Sequence, residues 1–125
     1  MGIDIYARWR NQTDGERESQ ITGFDVLKGH VGYLREAYHG DPYATRHFVS
    51  EAFNDESNQA QIEAKTLRDR LPQTLSLIRT RERDLYQERD EYQIWKMQKS
   101  FVDFYRLCQR KEKETSEPCT IKASY

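Results

Sequence analysis

Three histidines are the residues whose type and spacing most suggest chemistry. His30, His39 and His47 lie within 18 residues, and the chain has no other histidine. Neutral imidazoles with a carboxylate can bind a metal, and an imidazole beside a carboxylate can act as a general acid or base. The gaps of nine and eight residues match no metal motif such as His-Glu-x-x-His. We therefore predict no metal site and no cofactor, and hydrogen bonding in loops is the simpler interpretation.

A loop rich in aromatic side chains overlaps this group of histidines. In the segment 38–43, two tyrosines and His39 surround Gly40 and Pro42. Gly40 allows close backbone approach and Pro42 stiffens the turn, so the loop could wall a small ligand pocket. The alternative is a tight turn whose tyrosines pack on the sheet. The predicted ligand-binding residues are His30, Glu36, Tyr38, His39, Asp41 and Tyr43.

His39 carries the sharpest of these predictions. Tyr38, Tyr43 and the carboxylate of Glu36 or Asp41 lie within a few positions of it. If the loop forms a pocket, the imidazole should respond to a ligand. Because loops lie at the surface, we expect the burial of this ring to be partial. The alternative is a turn histidine that has no partner.

The sequence carries no clear signature of catalysis. A catalytic nucleophile requires an adjacent base, and nothing around Ser50, the nearest serine, suggests activation. Cys108 falls on an apolar helical stripe, so we expect it in the core. The chain also lacks a glycine-rich phosphate loop and a paired-carboxylate motif. These absences favour binding over catalysis and leave a small enzyme as the alternative.

Period-2 patterns and turn signals divide the N-terminal half of the chain. Apolar and polar residues alternate at 3–9, which predicts a half-buried strand. Thr13 is typical of a helix N-cap because acidic residues follow it in the first turn, and this helix should end near Gly23. The remaining predictions are a strand at 24–27, two helical turns at 32–38, a break at 40–42 and a surface loop at 54–59.

Helical periodicity dominates the C-terminal half. We predict two consecutive helices, 66–71 and 72–86, because Pro72 would cost about 3 kcal/mol inside a single helix. A long one-sided helix follows from Tyr92, with Trp95 widening its apolar stripe. The short connection predicts an antiparallel hairpin. Its facing residues should be Leu75, Ile78 and Leu85 against Ile94, Met97, Phe101 and Phe104.

Together these patterns predict a single α+β domain over residues 1–125. Alternation after Pro118 predicts a closing strand, which should pair with the first strand. The expected architecture is a small sheet that includes both terminal strands and is covered by the C-terminal helical hairpin. A chain of 125 residues has room for one such domain.

Composition and the cysteines indicate the setting. No apolar run approaches the roughly 18 residues that span a bilayer. The first residues lack the basic and apolar regions of a signal peptide, so we expect a cytoplasmic protein with no membrane partner. Cys108 and Cys119 stand eleven positions apart, in neither Cys-x-x-Cys nor zinc-finger spacing. We expect both thiols to stay reduced.

Charge is distributed unevenly along the chain. Residues 1–64 carry 6 Lys+Arg and 11 Asp+Glu, net −5, whereas residues 65–125 carry 14 and 10, net +4. A basic face on the helical hairpin could touch the phosphates of a nucleic acid. The residues predicted for that contact are Arg79, Arg83, Arg106 and Arg110. Acidic residues interleave with them, which is typical of a solvated helix surface, so nucleic acid is the less favoured partner.

Four segments carry a resemblance to a protein family. They are MGIDIYA at 1–7, GHVGYLREAYHG at 29–40, PYAT at 42–45 and PCTI at 118–121. The chain resembles a family of short bacterial and phage-encoded proteins, and the likeness covers most of its length. The resemblance implies a bacterial or phage cytoplasmic setting and assigns no activity, cofactor or partner.

The function we expect is that of a non-catalytic binding module that contacts a host or phage protein. The aromatic loop at 38–43 and the absence of catalytic signatures motivate this hypothesis. Two alternatives stay open: a small ligand-binding or enzymatic domain that uses residues 30–45, and a nucleic-acid binder that uses the basic helices. The sequence leaves the oligomeric state open between monomer and homodimer.

Overall fold

The computed structural model describes residues 2–22, 30–85 and 90–125. Within these residues the chain forms one four-stranded antiparallel sheet and four α-helices, which confirms the predicted α+β class. The strands are β1 (Gly2–Arg8), β2 (Tyr33–Ala37), β3 (Gln59–Ile62) and β4 (Cys119–Ser124). The helices are α1 (Asp14–Thr22), α2 (Ala44–Phe48), α3 (Ala64–Leu85) and α4 (Glu91–Thr115), and a short 3-10 turn spans Ser50–Ala52.

The two terminal strands form the centre of the sheet. The strand order is β2-β1-β4-β3, and all three pairings are antiparallel. In the central pair Ile5 lies opposite Ala123 and Ala7 lies opposite Ile121, and all four side chains are buried. The alternation of β1 and β4 thus reflects one sheet face packed on the core, and the predicted pairing of these strands is confirmed.

β2 corrects one prediction. Residues 33–37 form a strand instead of the predicted helical turns. Leu34 and Glu36 are buried and alternate with more exposed residues. Leu, Arg, Glu and Ala favour helices intrinsically, but pairing with β1 and the burial of Leu34 outweigh that preference. The predicted strand at 24–27 lies outside the described residues.

α3 is one continuous helix, which corrects the prediction of two helices that meet at Pro72. Pro72 lies inside α3 and is exposed. Its nitrogen cannot donate to the carbonyl of Arg68, so one helical hydrogen bond is missing. Leu67 and Ile78, on either side of the proline, are both buried in the core. Their burial holds the helix together across this defect.

α3 and α4 pack as an antiparallel pair, as predicted. Near one end of the pair Arg83 forms an ion pair with Glu91. Near the other end the backbone N–H of Ala64 donates to Glu112 Oε1 at 3.2 Å. The side chain of Leu85 and most of the connection between the helices lie outside the described residues.

The core lies between the sheet and the inner face of the helical pair. Phe101 and Phe104 are fully buried, and the ring of Phe48 from α2 lies 5.4 Å from that of Phe101. Ile78 and Ile94 are buried as well, so the predicted apolar stripes of both helices turn inward. Among the described residues, no helix is long and apolar enough to cross a membrane.

The N-terminus of α1 follows the predicted capping pattern. The N–H of Glu16 donates to Thr13 Oγ1 at 3.1 Å, and the N–H of Thr13 donates to Glu16 Oε1 at 2.9 Å. This reciprocal arrangement is a capping box, which satisfies two N–H groups at the helix terminus.

Candidate functional site

Glu36 is a buried carboxylate that joins β2 to α2. β2 places its side chain on the core side of the sheet, where the residue is 4% exposed. Its oxygens accept hydrogen bonds from the backbone N–H groups of Ala44 and Thr45, both at 2.9 Å, and from Thr45 Oγ1 at 2.7 Å. His39 Nε2 lies 3.0 Å from the same carboxylate. Glu36 therefore caps the first turn of α2 from a neighbouring strand.

His39 lies inside the 38–43 loop, with a side chain only 6% exposed. This burial is more complete than the partial burial expected for a surface loop. The ring packs on Tyr43, with centroids 4.8 Å apart. Arg81 of α3 donates to the carbonyl oxygens of His39 at 2.8 Å and Gly40 at 2.9 Å, and the N–H of Gly40 donates to Tyr43 Oη at 2.9 Å. The polar groups of His39, Gly40 and Tyr43 in this loop are therefore hydrogen-bonded within the protein.

The Glu36–His39–Arg81 cluster is suited to holding β2, α2 and α3 together. Three of the predicted ligand-binding residues meet in or beside it, whereas Tyr38 and Asp41 are exposed. Both carboxylate oxygens and both ring nitrogens have protein partners. Satisfaction of Glu36 and His39 within the protein is typical of a structural network rather than of a ligand site.

His30 lies beyond the opposite end of β2 from His39, so these two histidines do not converge. β2 has five residues and is about 16 Å long. His30 Nδ1 accepts from the N–H of Gly32 at 3.0 Å, and its ring meets that of Phe104 edge-on at 5.8 Å. Burial lowers the pKa of His30 to about 4 against the opposing charge of Asp103, so the ring is neutral at pH 7. Among the described residues, no group of three or more His, Cys, Asp or Glu is arranged to hold a metal ion.

A cavity of about 210 Å³ is lined by His30 together with residues of α1 and the C-terminal half of α4. The polar and aromatic residues of its wall are Trp9, Glu16, Ser19, His30, Arg110 and Lys111. Lys111 Nζ lies 3.2 Å from a carboxylate oxygen of Glu114 and 3.8 Å from one of Glu16. The cavity brings His30, predicted to bind a ligand, together with Arg110, predicted to bind nucleic acid. Their proximity was not predicted from the sequence.

Gln20 positions one wall of this cavity, and sequence analysis did not single it out. It is 1% exposed, and its Nε2 donates to the carbonyl oxygens of Ala7 and Val31, both at 2.8 Å. Its Oε1 accepts from Arg8. Gly32, with φ +85°, passes so close that a Cβ there would lie 2.8 Å from Gln20 Nε2. A single glutamine on a polar helix carries no pattern that reveals such a role.

The four arginines predicted to contact nucleic acid lie in two separate pairs. Arg79 and Arg83 both form ion pairs with Glu91 at the start of α4. Arg106 and Arg110 lie on the second half of α4, about 22 Å or more further along the helix. Within the described residues, neither Arg106 nor Arg110 has an ion-pair or hydrogen-bond partner. The structure therefore does not gather the four side chains into one basic face.

Tyr92 and Trp95 form an exposed aromatic pair on the first turns of α4. They are 63% and 51% exposed, and their ring centroids lie 6.0 Å apart. Lys96 Nζ lies 6.0 Å from the centre of the Tyr92 ring. This corrects the prediction that Trp95 widens the buried stripe of the helix. The helical phase places Trp95 beside the stripe, and α3 does not cover it.

The two cysteines are free and buried, so the structure places Cys108 in the core as predicted. The thiol of Cys119 lies 3.9 Å from the carbonyl oxygen of Cys108. A hydrogen bond with Cys119, together with burial, raises the pKa of the Cys108 thiol well above its ordinary value. Because the thiolate is the reactive form, Cys108 is unsuited to nucleophilic catalysis.

Comparisons with protein-family models, with curated proteins and with solved structures find no match. The function is therefore argued from the side chains themselves. Two surfaces carry that argument: the exposed aromatic pair on α4 and the cavity beside His30.

Proposed function

We propose that this chain is a non-catalytic binding module that contacts an acidic surface of another protein through Tyr92, Trp95 and Lys96, here called the α4 aromatic face. The observation that carries the proposal is the exposure of two large neighbouring rings on the first turns of α4. Tryptophan is usually well covered in folded proteins, and tryptophan and tyrosine dominate the binding energy of protein interfaces.

Charge supports an acidic partner. Lys96 is exposed and has no carboxylate partner within the described residues, so its ammonium group is available to a carboxylate on another molecule. The C-terminal half of the chain, residues 65–125, carries a net charge of +4. The matching surface would offer an apolar hollow for Trp95 with carboxylates at its rim. The sequence resemblance favours a host or phage protein as the source of that surface.

Two other functions have less support from the geometry. The 38–43 loop engages many of its polar groups internally, which leaves the exposed side chains of Tyr38 and Asp41 as its contribution to a contact surface. A nucleic-acid face would draw on two arginine pairs that lie far apart, one of which is already paired with Glu91. The α4 aromatic face is free of both objections.

The test compares capture of partner proteins from bacterial lysate by matched variants. We expect Trp95→Ala to weaken binding of a captured protein about 30-fold, since central tryptophans commonly contribute at least 2 kcal/mol. Lys96→Gln should weaken the same complex less and reduce its sensitivity to salt. Cross-linking followed by mass spectrometry should place the contact on the first turns of α4.

Tyr38→Ala is the matched control, because Tyr38 is an exposed tyrosine at 47% on a different part of the molecule. It should bind like the wild type. Equal binding by Trp95→Ala and wild type would overturn the proposal, as would equal losses in the Trp95 and Tyr38 variants. A homodimer that dissociates on Trp95→Ala, seen by sedimentation of the chain alone, would assign the face to self-association instead.

A further inference from the structure

We propose that the cavity beside His30 binds a small molecule bearing an oxyanion, a carboxylate or a phosphate, with Arg110 as the principal contact. The cavity lies between α1 and the C-terminal half of α4. It is distinct from the α4 aromatic face, since Arg110 lies fifteen residues beyond Trp95 on the same helix, about 22 Å away. An experiment can therefore confirm or overturn one of the two proposed sites without affecting the other.

Arg110 is the cation in this wall that is free to bind an anion. Within the described residues it has no carboxylate partner, whereas Lys111 is shared between Glu114 at 3.2 Å and Glu16 at 3.8 Å. A guanidinium group matches the geometry of carboxylate and phosphate oxygens with two parallel hydrogen bonds. A ligand oxyanion would give Arg110 the partner that the protein does not supply.

The rest of the wall favours an anion with an organic part. Trp9 offers an aromatic ring, and Lys111 Nζ already lies 5.2 Å from its centre, so positive charge is held at this ring. His30 is neutral at pH 7 because burial lowers its pKa to about 4, so it contributes polarity without charge. Glu16 is engaged by the capping box and by Lys111, which reduces its repulsion of an anion.

The size of the cavity limits the ligand. The cavity has a volume of about 210 Å³. Pockets for drug-sized ligands begin near 300 Å³. The ligand should therefore be of the size of a small metabolite rather than a nucleotide or a peptide.

Gln20 makes the cavity a preformed site. Its amide nitrogen donates its two hydrogens to the carbonyl oxygens of Ala7 in β1 and of Val31, and these two bonds fix α1 against β1 and the segment that precedes β2. Of the other walls, Trp9 directly follows β1, and α4 supplies Leu107, Arg110 and Lys111. Binding therefore requires little reorganisation. Preorganisation of this kind lets a small site bind a small ligand with measurable affinity.

The experiment is a proton–nitrogen NMR titration at pH 7 and constant ionic strength, with inorganic phosphate in one arm and benzoate in the other. We expect saturable shifts at the backbone amides of Ser19, Val31 and Lys111 with at least one probe. Arg110→Gln should weaken that binding about tenfold, as expected for loss of a charged hydrogen-bonding group. A response to phosphate alone, or to benzoate alone, would identify which oxyanion the site takes.

Arg106→Gln is the matched control. Arg106 lies one turn before Arg110 on α4, is also exposed and unpaired within the described residues, and does not line the cavity. Its replacement removes the same charge and should change the affinity less than about twofold. Equal losses in both variants would show generic attraction to a basic surface and overturn the proposal. Shifts that do not saturate, or no shifts with either probe, would overturn it as well.

Discussion

Glu36 shows how one buried carboxylate can organise several elements. Its side chain leaves β2, caps α2 through the N–H groups of Ala44 and Thr45, and holds His39 in place at 3.0 Å. A buried charge is tolerated only when its hydrogen-bond partners replace the water that it has lost. The stability of this region therefore depends on an acceptor with two oxygens at position 36.

Replacing Glu36 by Gln should destabilise the fold by about 2 to 4 kcal/mol, because an amide NH₂ would face N–H groups that now donate to an oxygen. Urea unfolding followed by circular dichroism measures the change. Glu51→Gln is the control: Glu51 is 42% exposed and pairs with Arg70 at 2.6 Å on the surface. Loss of this ion pair should lower the free energy of unfolding by less than about 1 kcal/mol. Similar costs for both variants would contradict the structural role of Glu36.

His30 should make stability depend on pH. Its pKa falls from the ordinary value of 6.5 to about 4 in the fold because the ring is buried. As pH drops below 6.5 the unfolded chain takes up a proton before the folded one does. The contribution of neutral His30 to the free energy of unfolding is therefore fully present above pH 6.5 and is lost between pH 6.5 and pH 4. The total loss is at most about 3 kcal/mol.

The measurement compares urea unfolding of wild type and His30→Asn at pH 7 and pH 4.5. Asparagine keeps an acceptor near the N–H of Gly32 but does not titrate, and the nearby Asp103 and Lys99 are present in both proteins. The wild type should lose more stability on acidification than the variant. Parallel losses would show that folding does not lower the pKa of His30.

Single residues were predictable where their partners lie nearby in sequence. Glu36 and His39 are three positions apart, and both were identified as candidates from their types and from the Gly-Asp-Pro turn beside them. Arg81 completes the cluster from 42 positions away, and no local pattern separates it from the other arginines. Gln20 is likewise recognisable only once β1 and α1 are in contact.

Elements were predictable in proportion to their length and periodicity. α4 repeats its apolar stripe over 25 residues, and β1 alternates over seven. β2, α2 and β3 have only four or five residues each, too few to show a period, and tertiary pairing decides their conformation. The prediction for Trp95 is wrong for a related reason. An apolar residue at the edge of a helical stripe is buried only when a neighbouring element packs against it.

Pro72 tests how far tertiary packing can hold a helix against local preference. Replacing it by alanine restores the N–H that the carbonyl of Arg68 lacks and removes the clash of the ring. Because Pro72 is exposed, the change should leave the core intact and stabilise the protein by about 1 to 3 kcal/mol. Urea or thermal unfolding measures the gain.

Gln73→Ala is the control for that prediction. Gln73 is the next exposed residue of α3 and already donates a helical N–H. Its replacement should change the free energy of unfolding by no more than about 0.5 kcal/mol. A Pro72→Ala protein with unchanged or reduced stability would mean that the helix depends on the proline bend.

At the scale of the whole molecule, the sheet ties the two ends of the chain together. β1 and β4 are the central strands, and the pair Ile5–Ala123 joins positions 118 residues apart, 123 minus 5. The helical pair covers the face on which these strands bury their side chains. The centre of the sheet therefore forms only when distant parts of the chain meet, which favours one cooperative unfolding transition.

Phe101 lies in the core of that cooperative structure, fully buried on α4, with its ring 5.4 Å from the ring of Phe48. Phe101→Ala should cost about 3 to 5 kcal/mol by loss of buried area and creation of a cavity, a large share of the 5 to 15 kcal/mol that usually stabilises a domain. Phe53→Ala is the matched control, because Phe53 is only partly buried against the core and packs on Tyr125. It should cost less than half as much. Thermal melting of Phe101→Ala within a degree or two of wild type would contradict the register of α4 on the sheet.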